Sequence, residues 1–242
     1  HPYYCIGDNF KELDMNTIIK IIIGLAFVIG IGFGVSIYET SDSQPVSTSY
    51  NPDAHPSGTQ YMQWYPKPRK LSDFTLTNHK QMSMTNADLY NQWTLAFVGY
   101  TYCPDICPTT LAALNQAYPS IIEQAQDQPI KVWFLSVDPK RDTIERLAEY
   151  IGFFNPNFLA ATAEHKQLYP LVRSMGMMYS MSQSTDDPNY LVDHSGSVVV
   201  INPLGQVIGR FKPNHTPGQI AISDTQQIIA DMPKVINFAA GK

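Results

Sequence analysis

The stretch "WTLAFVGYTYCPDICPTTL", Trp93 to Leu111, sets the frame for the rest of the chain. Its first eight residues are nearly all apolar and have the length of a strand buried on both faces. Two cysteines come next, Cys103 and Cys107, each with a proline after it. Pro108 suits the first turn of a helix, where its missing N–H is not needed, and "TTLAALNQAYPSIIEQA" can supply that helix, with Pro119 as an expected break. The pair therefore sits in the loop leaving a central strand, where open α/β sheets place their sites. The positive end of the following helix favours thiolates there. On the residues alone, three readings of the pair stand open: an inert disulfide, a redox couple, or one wall of a metal site. A disulfide would close a very short loop and so stabilise little through chain entropy.

Working outward, "DFTLTN" and "QMSMTN" read as a short hairpin on the N-terminal side. On the C-terminal side "IKVWFLSV" is a second buried strand, followed by the helix "DTIERLAEYIGFF". Asp142 and Glu145 are spaced as the N-cap and third residue of a capping box. Next come a strand near "FLAAT", a helix at "EHKQLYPLVRSM", a strand at "MMYSM", and a hairpin "SVVVINPLGQVIGRF" turning at Pro203 and Gly205. A last helix is expected over roughly Pro217 to Asp231. This order predicts an α/β three-layer sandwich with a mixed central sheet and helices on both faces. Asp138, Arg141 and Asp142 in "DPKRD" read first as turn and capping residues.

The N-terminal part has a different character. Ile21 to Tyr38 carries no charge, is long enough for one transmembrane helix, and has no polar face. It reads as an uncleaved anchor, with a removed signal peptide as the alternative because Gly34 and Ser36 are small. Lys20 as the positive flank keeps the short N-terminus in the cytoplasm and exports the chain beyond Tyr38. "MNTIIK" resembles a native start, so residues 1–14 are expected to be an upstream or non-native extension, and Cys5 to carry no function. The expected organisation is thus an anchor at 15–38, a linker at 39–70 that becomes ordered near the domain, and the α/β domain at 71–242.

Composition narrows the function. Of 242 residues 44% are hydrophobic and 15% charged, which is globular, and a net charge of −5 offers no basic field for nucleic acid. Three cysteines are too few for a disulfide scaffold. Walker-type and GxGxxG phosphate loops, HExxH and GxSxG are absent from the sequence.

Three blocks in order, "FVGYTYCPDICPTTL", "SVDPKRDT" and "YLVDHSGSVVVINPLGQVIGRF", together resemble the Sco (SenC) family of membrane-anchored copper proteins. The resemblance covers Leu71 to Met232 and the single anchor. It implies a thioredoxin-like fold and a role in assembling the binuclear copper centre of cytochrome c oxidase. It also implies copper, as Cu(I) or Cu(II), on Cys103, Cys107 and His194, the histidine of the DH block. Soft thiolates suit Cu(I) and imidazole suits Cu(II) as well, so this donor set serves either state. Asp193 is a candidate to orient the His194 ring, with turn capping as the other reading. The implied partners are the copper-bearing subunit of the oxidase, a copper-donating periplasmic chaperone, and the membrane. The implied location is the bacterial inner membrane, single-pass, with the domain in the periplasm.

One dithiol allows two functions. The first is a copper metallochaperone, an assembly factor rather than a turnover enzyme. The alternative is a thiol–disulfide oxidoreductase that keeps the cysteines of the oxidase subunit reduced. A thiol peroxidase on a related fold fits least. His194 discriminates, because thiol exchange needs two sulfurs while three-coordinate copper also uses the imidazole. Met175, Met177, Met178 and Met181 read as core packing before a second copper site, and His215 as a surface turn residue. Tyr102 stands where relatives often have histidine before the first cysteine.

Overall fold

The computed structural model describes residues 58–125, 128–181 and 184–239. The expected anchor at 15–38, the extension at 1–14 and Cys5 lie outside the described residues. No helix among the described residues is long and apolar enough to cross a membrane.

Among the described residues there are ten strands and four α-helices. They are β1 (Gln63–Lys70), β2 (Thr75–Asn78), β3 (Ser83–Thr85), β4 (Trp93–Gly99), α1 (Ile106–Gln124), β5 (Ile130–Ser136), α2 (Ile144–Phe154), β6 (Leu159–Thr162), α3 (His165–Ser174), β7 (Tyr179–Met181), β8 (Val192–His194), β9 (Val198–Ile201), β10 (Gln206–Phe211) and α4 (Thr225–Ala239). Eight strands form one mixed sheet in the order β1-β10-β9-β4-β5-β6-β2-β3. Strands β4, β5 and β6 run parallel, and β9 pairs antiparallel with β4. Every residue of β4 is buried. Its alternation sends Leu95 and Phe97 into a core with α1, α2 and α4, and Ala96 and Val98 into a second core with α3. Sheet and helices make the three expected layers.

Helix α1 runs through Pro119 without a break. An interior proline costs about 3 kcal/mol, but Leu111, Leu114 and Ile121 are each at most 1% exposed, and each contributes about 1.5–3 kcal/mol by burial. Packing wins. Helix α2 starts one residue later than expected, because Thr143 is its cap and accepts from the Arg146 N–H at 3.2 Å. Asp142 instead turns inward, accepting from Thr101 N, Thr101 Oγ1 and Ser136 Oγ. Helix α4 begins at Thr225 rather than near Pro217. The Gln226 N–H donates to Asp224 Oδ1 at 2.8 Å, and the buried stripe Ile228, Met232, Val235 and Ile236 lies beyond that point.

The segment expected as linker up to residue 70 contributes β1, an edge strand paired with β10. Its entry is fixed by the buried Asp231 carboxylate, which accepts from the backbone N–H groups of Gln60, Tyr61 and Met62. Strands β7 and β8 stand apart from the main sheet as a two-stranded ribbon. Strand β8 was not legible as a strand, since three residues are too few to show a period.

Candidate metal centre

The loop after β4 and the first turn of α1 carry the cysteines. Cys103 is half-buried and Cys107, the second residue of α1, is fully buried. The Cys107 backbone N–H points at Cys103 Sγ, 3.4 Å away, as an uncapped helix N-terminus offers its free donors. Gly99, the last residue of β4, makes room for this. A Cβ there would lie 2.6 Å from Cys107 Sγ and 2.8 Å from Phe134 Cε2.

His194 closes the site from the ribbon. Its Nε2 lies 3.4 Å from Cys107 Sγ. One ligand atom from each of Cys103, Cys107 and His194 falls within 4.8 Å of the others, and this is the one such group of metal-ligating side chains among the described residues. Three donors about 2.0–2.3 Å from one ion in a trigonal plane stand about 3.5–4 Å apart, so small side-chain movements bring this set onto an ion. The imidazole stands edge-on to Phe97 and Tyr100, with centroids 6.1 and 5.8 Å away. Its Nδ1 faces the Ser195 carbonyl at 3.3 Å, and donation there leaves Nε2 free as a ligand.

The His194 ring's Nδ1 contact is with the Ser195 carbonyl, while Asp193 pairs with Ser180 in the ribbon. The Ser195 carbonyl, Phe97, Tyr100 and Gly99 shape the site. No sequence signal marked them, because each acts through a backbone atom, a ring edge or a missing atom.

The two thiols have unlike electrostatics. The Cys107 thiol hydrogen-bonds the Cys103 sulfur, which with His194 and the loop N–H groups outweighs partial burial and pulls Cys103 down to about 4. Burial pushes Cys107 up, and the neighbouring sulfur adds to this. Cys103 is thus a thiolate at neutral pH while Cys107 holds its proton until something replaces it. An open groove lined by Met178, Ser180, Asp193, His194 and Arg210 gives His194 a solvent side.

The other candidates lie elsewhere. Met175 and Met177 are core residues, Met181 packs against that core, and Met178 is 76% exposed. His215 is exposed on the loop before α4 and is not part of the group.

A family model described as SCO1/SenC matches residues 63–230. The human Protein SCO2 homolog, mitochondrial, is 32% identical over 158 residues, which span 65% of this chain and 59% of that protein. The human Protein SCO1 homolog, mitochondrial, is 32% identical over 157 residues, 65% of this chain and 52% of that protein. The chain thus spans little more than half the length of these relatives. Among solved structures, copper-bound ScoI from Arabidopsis thaliana superposes with a TM-score of 0.61 at 28% identity, covering 69% of this chain and 98% of that one. Apo Sco1 from Thermus thermophilus gives 0.62 at 29% identity, covering 74% and 99%.

Proposed function

The chain belongs to the SCO1/SenC family, and on that premise we propose that it is a copper metallochaperone for the copper centre of cytochrome c oxidase. The observation that carries this reading is the convergence of Cys103, Cys107 and His194 within 4.8 Å. Two thiolates and one imidazole form a soft, three-point donor set that holds copper through a change of oxidation state. The Arabidopsis ScoI relative, solved with copper bound, supports the choice of metal.

Delivery is ligand exchange. Cys103, the more open and already ionised sulfur, is the first donor that an incoming or outgoing copper ion meets. Cys107 loses its proton as it joins, so loading releases a proton to solvent. The client's own thiolates and imidazoles then replace the three donors one by one, without free copper. In this proposal Ile21 to Tyr38 anchors the chain in the bacterial inner membrane and the domain works in the periplasm, beside a membrane-bound client. Sharing one membrane raises the encounter rate, so a transient interface suffices.

A strain lacking the gene, complemented with wild type or His194→Ala at limiting copper, tests the function. The chaperone reading predicts that His194→Ala fails to restore oxidase copper. Full restoration would contradict it. A reporter fused after Lys242 tests the orientation, being active only if exported, and recovery in the soluble periplasmic fraction would show a cleaved signal.

One observation favours the dithiol alternative on the same client: the split between an ionised Cys103 and a protonated Cys107 is the arrangement of an attacking and a resolving thiol. Cys103 would attack a client disulfide to form a mixed disulfide. Cys107 would then resolve it, leaving the client dithiol reduced and Cys103–Cys107 oxidised, with the two electrons accounted for. This reading does not use His194, and the same complementation separates the two.

A further inference from the structure

We propose that Arg141 is a positioning residue for His194, holding the ribbon that carries the imidazole against the loop that carries the cysteines. The inference rests on the reading of His194 as a ligand. It starts from a weakness in the fold. His194 ends β8, and among the described residues β8 pairs only with β7, in three residue pairs outside the main sheet. A two-stranded ribbon of that length is marginal in water and needs tertiary contacts to hold one geometry. On the β7 side Tyr179 stacks on Tyr169 of α3, and on the β8 side the segment that leads into the strand is tied to the loop after β5.

Arg141 is at the centre of the second set. Its Nε donates to Asp138 Oδ2 at 2.6 Å, an ion pair with the carboxylate wholly buried. Its Nη1 donates to the Pro188 carbonyl at 3.0 Å. Its Cζ lies 3.5 Å from the centroid of the Tyr190 ring, a face-on stack. The Tyr190 hydroxyl in turn donates to Asp138 Oδ1, so carboxylate, guanidinium and phenol close a ring of contacts. Lys140 adds a fourth tie, donating to the Thr185 carbonyl at 2.6 Å. Pro188 and Tyr190 lead directly into β8. Two residues beyond Tyr190 the chain is in the ribbon, and four residues beyond it is at His194.

The same guanidinium reaches the cysteine loop. Arg141 Cζ lies 5.6 Å from the Tyr100 ring and 4.9 Å from the Tyr102 ring, the residue before Cys103. Tyr100 is the ring that His194 meets edge-on at 5.8 Å. Arg141 therefore acts on the imidazole by two routes, through Tyr190 along the backbone and through Tyr100 across space. Its Nη2 is buried without a hydrogen-bond partner among the described residues. Turn formation alone does not need the side chain, because Arg141 N and Asp142 N already donate to the Asp138 carbonyl.

The test uses Arg141→Lys, which keeps a positive charge for Asp138 but loses the flat face and the second N–H. Tyr190→Phe is the independent variant, removing one hydroxyl and keeping the ring. In the apo protein, ribbon amide exchange reports the latch without metal, and the Ser195 N–H, which closes the ribbon on the Met178 carbonyl, is a suitable probe. We expect exchange at Ser195 to quicken at least tenfold in Arg141→Lys, and by less in Tyr190→Phe, with β4 and β5 amides unchanged. In the copper(II) form we expect weaker nitrogen hyperfine coupling and about tenfold lower affinity, with Cu(I) affinity within threefold of wild type. Wild-type ribbon exchange together with a wild-type copper(II) spectrum in both variants would overturn the proposal. If Arg141→Lys loses β4 protection and is therefore unfolded, Tyr190→Phe alone decides, and wild-type exchange and spectrum in it would overturn the proposal. If His194→Ala leaves the copper(II) spectrum unchanged, the ligand reading fails, and ribbon exchange still judges the latch.

Discussion

Cys107 Sγ and His194 Nε2 lie 3.4 Å apart although 87 residues separate them in the chain. The sulfur is held on the first turn of α1 against the end of β4. The nitrogen is held on a ribbon that lies outside the main sheet and leads by a short link into β9. The sulfur takes that position in the space left by Gly99.

Gly99→Ala is the sharpest steric probe of that contact. Its Cβ would stand 2.6 Å from the Cys107 sulfur and 2.8 Å from the Phe134 ring, both within a packed core. Overpacking of this kind costs about 1–3 kcal/mol, and copper affinity should fall at least tenfold as Cys107 is displaced. Gly152→Ala is the control, since a Cβ there meets nothing within 4 Å, and in the last turn of α2 it should be neutral to stabilising by up to about 1 kcal/mol. Urea unfolding and copper titration of both variants check the pair. Equal copper binding in Gly99→Ala and wild type would remove Gly99 from the site.

The unlike thiols predict a reactivity pattern. With Cys103 at about 4, its alkylation by iodoacetamide should be nearly independent of pH from 5 to 8, where an ordinary thiol gains tenfold per unit. Cys107 should stay unmodified until the protein unfolds. Peptide mapping after brief labelling of the reduced protein reads both. A rate rising tenfold per pH unit at Cys103 would mean that its thiolate is not stabilised.

Asp142 carries the pH prediction for stability. Burial raises its pKa above 3.8, although the Ser136 and Thr101 donors oppose this. Folded Asp142 therefore binds its proton more readily than unfolded Asp142. Its contribution to stability is fully present below the unfolded value and is lost as pH rises through the folded one. Asp142→Asn lacks this titration, so the variant should gain on wild type as pH rises from 3 to 7, measured as the difference in urea midpoints. A difference that moves the other way would mean that the hydrogen bonds outweigh burial.

Much of this was legible in the chain itself. The buried strand, the CxxxC loop and the helix after it are announced by an apolar run, two prolines and the helical stripe of Leu111, Leu114 and Ile121. The parallel core and the C-terminal hairpin are announced by strand-length runs separated by turn residues. The features that escaped are those with no local signature. Asp142 looked like a cap because its spacing to Glu145 is right, yet Thr143 takes the cap while the carboxylate satisfies Thr101 and Ser136. The ribbon strand β8 is too short to show a period. The role of Arg141 depends on rings from two separate loops, Tyr100 and Tyr102 after β4 and Tyr190 before β8, which only the folded chain brings together.

Asp231 ties down the chain just ahead of β1. Three consecutive backbone N–H groups, of Gln60, Tyr61 and Met62, donate to one buried carboxylate in α4. Asp231→Ala leaves those donors without an acceptor and should cost about 2–3 kcal/mol. Melting should drop by roughly 5–10 °C, with amide protection lost first across β1. An unchanged melting temperature would show that β1 docks through its pairing with β10 alone.

The central claim is that one copper ion is held by two sulfurs and one imidazole nitrogen. Anaerobic copper titration of residues 39–242, followed by absorption and EPR, tests it most directly in wild type, His194→Ala and the Cys103→Ser/Cys107→Ser double variant. The account predicts one tightly bound copper in wild type, with sulfur-to-copper charge transfer and nitrogen hyperfine coupling in the oxidised form. It predicts loss of the nitrogen coupling in His194→Ala and loss of tight binding in the double variant. Stoichiometric tight copper in the double variant, or an unchanged spectrum in His194→Ala, would contradict it.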